Sequence, residues 1–108
     1  MHKIKVFFDR EQNLLIHIIA SFFVILFGVI FKLNITDWVL IFSMIGFVIV
    51  SELINSAIEL VVDLYTNKFN SLAMIAKDTA AAAVVTAAFT SILVGIYVFL
   101  PKLIAIIK

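Results

Sequence analysis

Residues 14–31, 39–62 and 72–100 form three apolar runs, and no other feature of the chain limits its fold as strongly. In the first run the polar members are His17 and Ser21, with a lone Gly28. A bilayer core about 30 Å thick is crossed by about 20 helical residues, and a helix satisfies its own backbone where lipid cannot. Each run therefore reads as a membrane-crossing helix. Composition agrees, since 65% of the 108 residues are hydrophobic and 14% charged, where soluble domains hold about half and about a quarter. The expectation is an all-α membrane protein of one domain, residues 1–108, with spans at about 14–32, 38–63 and 72–100. A short N-terminal surface helix is expected at about 2–12, because Lys3, Lys5 and Arg10 alternate with Ile4, Val6, Phe7 and Phe8 in a mixture that suits a membrane surface.

The connections are short and polar. Asn34 or Thr36 can cap the second helix, and Trp38 stands where an interfacial aromatic would anchor it. Ala76, Ala80, Ala83, Ala87 and Ser91 recur along the third helix, and small residues at that spacing let membrane helices approach closely. Pro101 is expected to end that helix. Three crossings put the termini on opposite sides of a bacterial cytoplasmic membrane. Lys3, Lys5, Arg10, Lys68 and Lys77 outweigh Lys32, Lys102 and Lys108, which predicts a cytoplasmic N-terminus and a C-terminus outside. No cleaved signal peptide is expected, because the first residues are charged and no small-residue cleavage site follows. A net charge of +1 offers no field for nucleic acid. Without cysteine there is no disulfide framework and no thiolate nucleophile.

The second run carries an acidic stripe. Glu52, Asn55, Glu59 and Asp63 lie three, four and four residues apart, which confines them to about 80° of one helical face. Acids inside a membrane helix are costly and as a rule face a bundle interior and mark a function. Glu11 at the foot of the first span, with Lys77 and Asp78 at the start of the third, joins them near the cytoplasmic side. Converging carboxylates repel, and a cation relieves them. Hard oxygens without a His or Cys cluster point to Mg²⁺, held by one or two carboxylates and the phosphates of a substrate. Lys77 can meet phosphate as a point charge. Glu52 stands about 10 Å deeper than Glu59 along the helix, so the shallower acid can serve metal and nucleotide while the deeper one faces a lipid hydroxyl as general base.

Gly28, Gly46 and Gly95 are isolated within apolar runs, so a phosphate-cradling glycine loop is excluded. His2 and His17 allow neither a Ser-His-Asp arrangement nor zinc-ligand spacing, and His17 reads as a polar packing residue. Asp63 reads equally well as a solvated interfacial charge.

Two blocks, Glu52-Leu-Ile-Asn55-Ser-Ala-Ile-Glu59 with Val62-Asp63-Leu64, and Leu72-Ala-Met-Ile-Ala76-Lys77-Asp78, resemble the motifs of the prokaryotic diacylglycerol kinase family. Glu11-Gln-Asn13 with Ile16-His17 and Phe99-Leu-Pro101-Lys102 resemble the beginning and end of its Gram-positive undecaprenol kinase branch. The resemblance covers about residues 7–102. It implies a homotrimeric helical bundle with active sites shared between protomers, which transfers the γ-phosphate of MgATP to a lipid alcohol, undecaprenol before diacylglycerol. By position it implies Glu52 as general base with Asn55 beside it, Glu11 and Glu59 as metal carboxylates, and Lys68, Phe69, Asn70, Lys77 and Asp78 at the nucleotide. Ser51 and Ser56 are candidates for contact with the lipid. The chain departs from the family pattern at Leu15, where Arg is expected, at Asn70, where His is common, at Ala82, a frequent Gly, and in a short N-terminus. These departures keep a weakened kinase that only binds lipid or nucleotide among the readings. From another class stands a small proton- or ion-conducting assembly, disfavoured because residues 39–50 offer almost no polar relay.

Overall fold

The structure, a computed structural model, describes residues 11–108. Its helices are α1 (Gln12–Ile30), α2 (Ile35–Tyr65) and α3 (Ser71–Ile107), each long and apolar enough to cross a membrane. The all-α membrane architecture read from the three apolar runs is therefore what the chain adopts. The surface helix expected at about 2–12 falls, but for Glu11 and Gln12, outside the described residues.

α2 is the middle element, packed along α3 and over a shorter length against α1. Its N-terminus is set by Asn34, whose Oδ1 accepts from the Asp37 backbone N–H at 2.9 Å, so Asn34 rather than Thr36 is the cap. Asn70 does the same for α3, accepting from Ala73 N–H at 3.0 Å. At 31 residues α2 is about 46 Å long and exceeds the hydrocarbon core. Counted from Trp38, about 20 residues fill that core, which leaves Glu59 and Asp63 beyond it and Glu52 just inside.

The α1–α2 connection is a Schellman turn. Lys32 N–H donates to Val29 O at 3.2 Å and Leu33 N–H to Gly28 O at 3.1 Å, with Lys32 in the left-handed region at φ 58°. Leu33 is buried against Gly28, and a Cβ on Gly28 would stand 2.6 Å from Trp38 Cη2. Only glycine lets the indole close onto the α1 backbone here. Trp38, expected as an interfacial anchor, thus also packs within the bundle, stacked on Phe42 with centroids 5.5 Å apart. Leu33, Ile41 and Val98 form the adjoining core, flanked by Phe31 and Phe99, whose rings meet edge to face at 6.0 Å.

Two expectations for α3 need correction. Ala80 and Ala87 are buried and Ala76 and Ser91 half-buried, but Ala83 is exposed and Val84 takes the inward place. At about 100° per residue Ala83 lies about 60° off the contact line through Ala80, and Val84 about 40°. Nor does α3 stop at Pro101, which lies inside the helix. A membrane helix tolerates the missing N–H, and Lys102 pairs with Asp37 at 3.4 Å, tying the following turn to the start of α2.

Candidate active site

Among the described residues the buried polar side chains are Glu52, 3% exposed, and Ser56, 7% exposed. They lie one turn apart on α2 because a four-residue step returns to the same face. The remaining members of the stripe follow that face toward Tyr65. Asn55 and Glu59, both half-buried, are joined by an Nδ2 to Oε1 hydrogen bond of 3.3 Å. Asn55 Oδ1 is left buried without a partner among the described residues, and such an atom is costly unless a ligand meets it.

Glu11 reaches this face from α1. It occupies the N-cap position of that helix, yet its side chain makes no capping bond. Its Oε2 instead accepts the Ser56 hydroxyl at 2.5 Å, while buried Leu14 seats the first turn of α1. Among the described residues, the titratable groups whose charges reach Glu52 are His17, Glu11 and Glu59. His17, read from sequence as a packing residue, is therefore an electrostatic neighbour of the central acid. Its position three residues after Leu14 and four before Ser21 was the available signal, since that spacing puts all three on one face of α1.

A second centre lies where α2 ends and α3 begins. A cleft of about 210 Å³ is lined by Lys68, Phe69, Asn70, Lys77 and Asp78 together with Asp63. The five residues expected at the nucleotide thus share one cavity. Lys77 Nζ sits 2.7 Å from Asp63 Oδ1, with side chains 41% and 49% exposed. Asp63 is therefore solvated and paired at once. Asn70 Oδ1 is committed to its cap, which leaves the amide N–H groups to face a ligand.

Ser51 and Ser56 differ. Ser51 donates to Phe47 O at 2.9 Å on its own helix and lines an apolar groove with Ile54, Ile58 and Ala80, away from the face of Glu52. Ser56 is on that face but its proton is held by Glu11.

No three His, Cys, Asp or Glu side chains converge into a metal cage among the described residues. Mg²⁺ does not require one, because it keeps water and takes one or two carboxylates with substrate phosphates. Glu59 beside the unpartnered Asn55 Oδ1, with Glu11 across the face, supplies hard oxygen donors of the right kind.

Residues 1–99 match the family model for prokaryotic diacylglycerol kinase. The chain belongs to the prokaryotic diacylglycerol kinase family. It is 44% identical over 93 residues to an undecaprenol kinase from Bacillus subtilis, covering 86% of this chain and 76% of that protein. It is 45% identical over 60 residues to a diacylglycerol kinase from Synechocystis, covering 55% of this chain and 34% of that one. No solved structure matches. A prokaryotic diacylglycerol kinase must bring a water-soluble phosphoryl donor to an alcohol held in the bilayer. One face of α2 offers both environments, the polar cleft at its end and a buried acid about three turns deeper.

Proposed function

We propose that this chain is a membrane lipid kinase that transfers the γ-phosphate of MgATP to the hydroxyl of undecaprenol. The observation that carries the reading is the placement of Glu52, buried on a membrane helix whose shallower turns lead into the cleft holding Lys77 and Asp78. Phosphoryl transfer asks little of a protein beyond in-line positioning and charge neutralisation. The lipid oxygen attacks the γ-phosphorus, its proton passes to Glu52, and ADP departs. Lys68, Phe69, Asn70, Lys77 and Asp78 hold the nucleotide, and Asn55 steadies Glu59. Glu11 and Glu59 would hold Mg²⁺, which when bound neutralises phosphate charge. The Bacillus relative, similar over most of the chain, supports undecaprenol as acceptor.

One chain does not enclose this site. Its nucleotide end stands open, with Lys77 and Asp63 41% and 49% exposed. The reading completes it in a homotrimer whose protomers share active sites, in a bacterial cytoplasmic membrane with the N-terminus inside and the C-terminus outside.

Purified protein in detergent with MgATP is expected to phosphorylate C55 isoprenol faster than a diacylglycerol. Faster diacylglycerol turnover reassigns the acceptor, which the Synechocystis relative makes the competing choice. If ATP binds and neither lipid is phosphorylated, the kinase reading fails.

A further inference from the structure

Hydroxyls on these helices have a default partner, the backbone of the preceding turn. Ser21, Ser51, Thr79, Thr86 and Thr90 each donate to the carbonyl four residues back, and Ser91 to the one three back. That arrangement needs nothing from elsewhere in the fold. Ser56 departs from it. Its hydroxyl crosses from α2 to a residue 45 positions away, Glu11 at the start of α1, at 2.5 Å. Glu11 departs from habit as well, since it stands at a helix N-cap and caps nothing.

We infer that Ser56 is a positioning residue that holds the Glu11 carboxylate toward Glu59 and Glu52, so that α1 contributes its acid to the ion site. The inference rests on the proposed role of Glu11 as a metal carboxylate. Glu11 and Glu59 both act on Glu52 as like charges, and repulsion turns a carboxylate away from that face unless something holds it. Glu11, at the N-cap of α1, is held by Ser56. A short hydrogen bond from a buried hydroxyl to the Glu11 carboxylate opposes the repulsion and keeps that carboxylate, which would help to hold the ion, at the α2 face. The same bond accounts for a serine buried one turn from Glu52.

The test uses Mn²⁺ with a non-hydrolysable ATP analogue on the full chain in detergent, with bound ion counted by electron paramagnetic resonance. A hydrogen bond to a charged group is worth about 1.5–3 kcal/mol, so Ser56→Ala should weaken Mn²⁺ binding about tenfold or more. Ser56→Thr, which keeps the donor, should restore most of it. Glu11→Gln should weaken binding too, and Ser56→Ala added to Glu11→Gln should cost nothing further. In turnover, Ser56→Ala should raise the Mg²⁺ concentration needed for half-maximal rate and leave the KM for lipid unchanged. Helical circular dichroism of each variant checks folding. If Glu11→Gln weakens Mn²⁺ binding while Ser56→Ala does not, the inference is overturned and the metal role of Glu11 survives. If Glu11→Gln changes nothing, both are overturned. A raised lipid KM with unchanged Mn²⁺ affinity returns Ser56 to the lipid and also overturns it.

Discussion

Glu52→Gln separates catalysis from stability because the structure gives the two opposite signs. Gln keeps the size and shape of Glu but cannot accept a proton from an attacking hydroxyl. Loss of a general base lowers rate about 10²–10⁴-fold, equivalent to about 3–5 kcal/mol of barrier. Nucleotide affinity should change little, since the residues lining the cleft begin at Val62 and Asp63, about 15 Å along the helix from Glu52. Stability should move the other way. Glu52 is 3% exposed and feels His17 as an opposite charge and Glu11 and Glu59 as like charges. Removing its charge spares the desolvation and the repulsion of two acids against the loss of one attraction, so on balance the variant should be stabilised. The assays are MgATP-dependent phosphorylation of C55 isoprenol, equilibrium binding of labelled ATP, and thermal unfolding in one detergent. A variant that is inactive, binds ATP and melts higher fits the reading. If Glu52→Gln melts lower, the carboxylate is a structural hydrogen-bond partner between helices. If it retains more than about a tenth of wild-type turnover, the role of general base is refuted.

Other perturbations read out other parts of the molecule. Glu59→Gln should raise the Mg²⁺ concentration for half-maximal rate with less effect on the rate at saturating Mg²⁺, and a pure loss of maximal rate would exchange the roles of Glu59 and Glu52. Lys77→Met should raise the KM for ATP yet cost under about 1 kcal/mol of stability, because its pair with Asp63 is nearly half exposed; thermal unfolding and ATP titration measure the two effects. Gly28→Ala puts a carbon 2.6 Å from Trp38 Cη2, where carbon contacts prefer about 3.5–4.0 Å. Overpacking of about 1–3 kcal/mol then exceeds the helix-propensity gain of about 1 kcal/mol. The melting temperature should fall, and Trp38→Phe in the same chain should recover part of the loss.

The helices were legible because length and apolarity are the same constraint in a membrane. A run of 18 or more apolar residues has few alternatives to a span. The stripe on α2 was legible for a related reason: four-residue spacing fixes a face, and a face bearing acids cannot turn to lipid. What escaped was whatever depends on contacts across the chain. Nothing in the neighbourhood of Pro101 announces that Lys102 meets Asp37, so the local rule that Pro ends a helix prevailed in the sequence reading and failed in the fold. Ala83 escaped because a mixed spacing of three and four leaves the contact line uncertain by half a face. The Ser56 to Glu11 bond links positions far apart in sequence, and neither residue alone carries a signal for the other.

The polar and apolar work of α2 is divided along its length, and that division bears on how the site can be strained without unfolding the protein. At the Trp38 end, Gly28, Leu33, Ile41 and Val98 close tightly, and the Asp37–Lys102 pair adds a tie between α2 and α3. At the Tyr65 end the helices are held by a few polar bonds, the Asn55–Glu59 and Ser56–Glu11 contacts and the half-exposed Lys77–Asp63 pair. The exposed one of these, the Lys77–Asp63 pair, is worth little. The packed end therefore supplies most of the stability, and the polar end is free to keep a buried atom such as Asn55 Oδ1 without a hydrogen-bond partner among the described residues. Substitutions at the packed end should then change melting temperature with modest effect on ion or nucleotide affinity, and those at the polar end the reverse. Gly28→Ala and Glu59→Gln are the pair to compare: equal losses of ATP affinity from both would mean that the two ends are coupled through α2 and that this division does not hold.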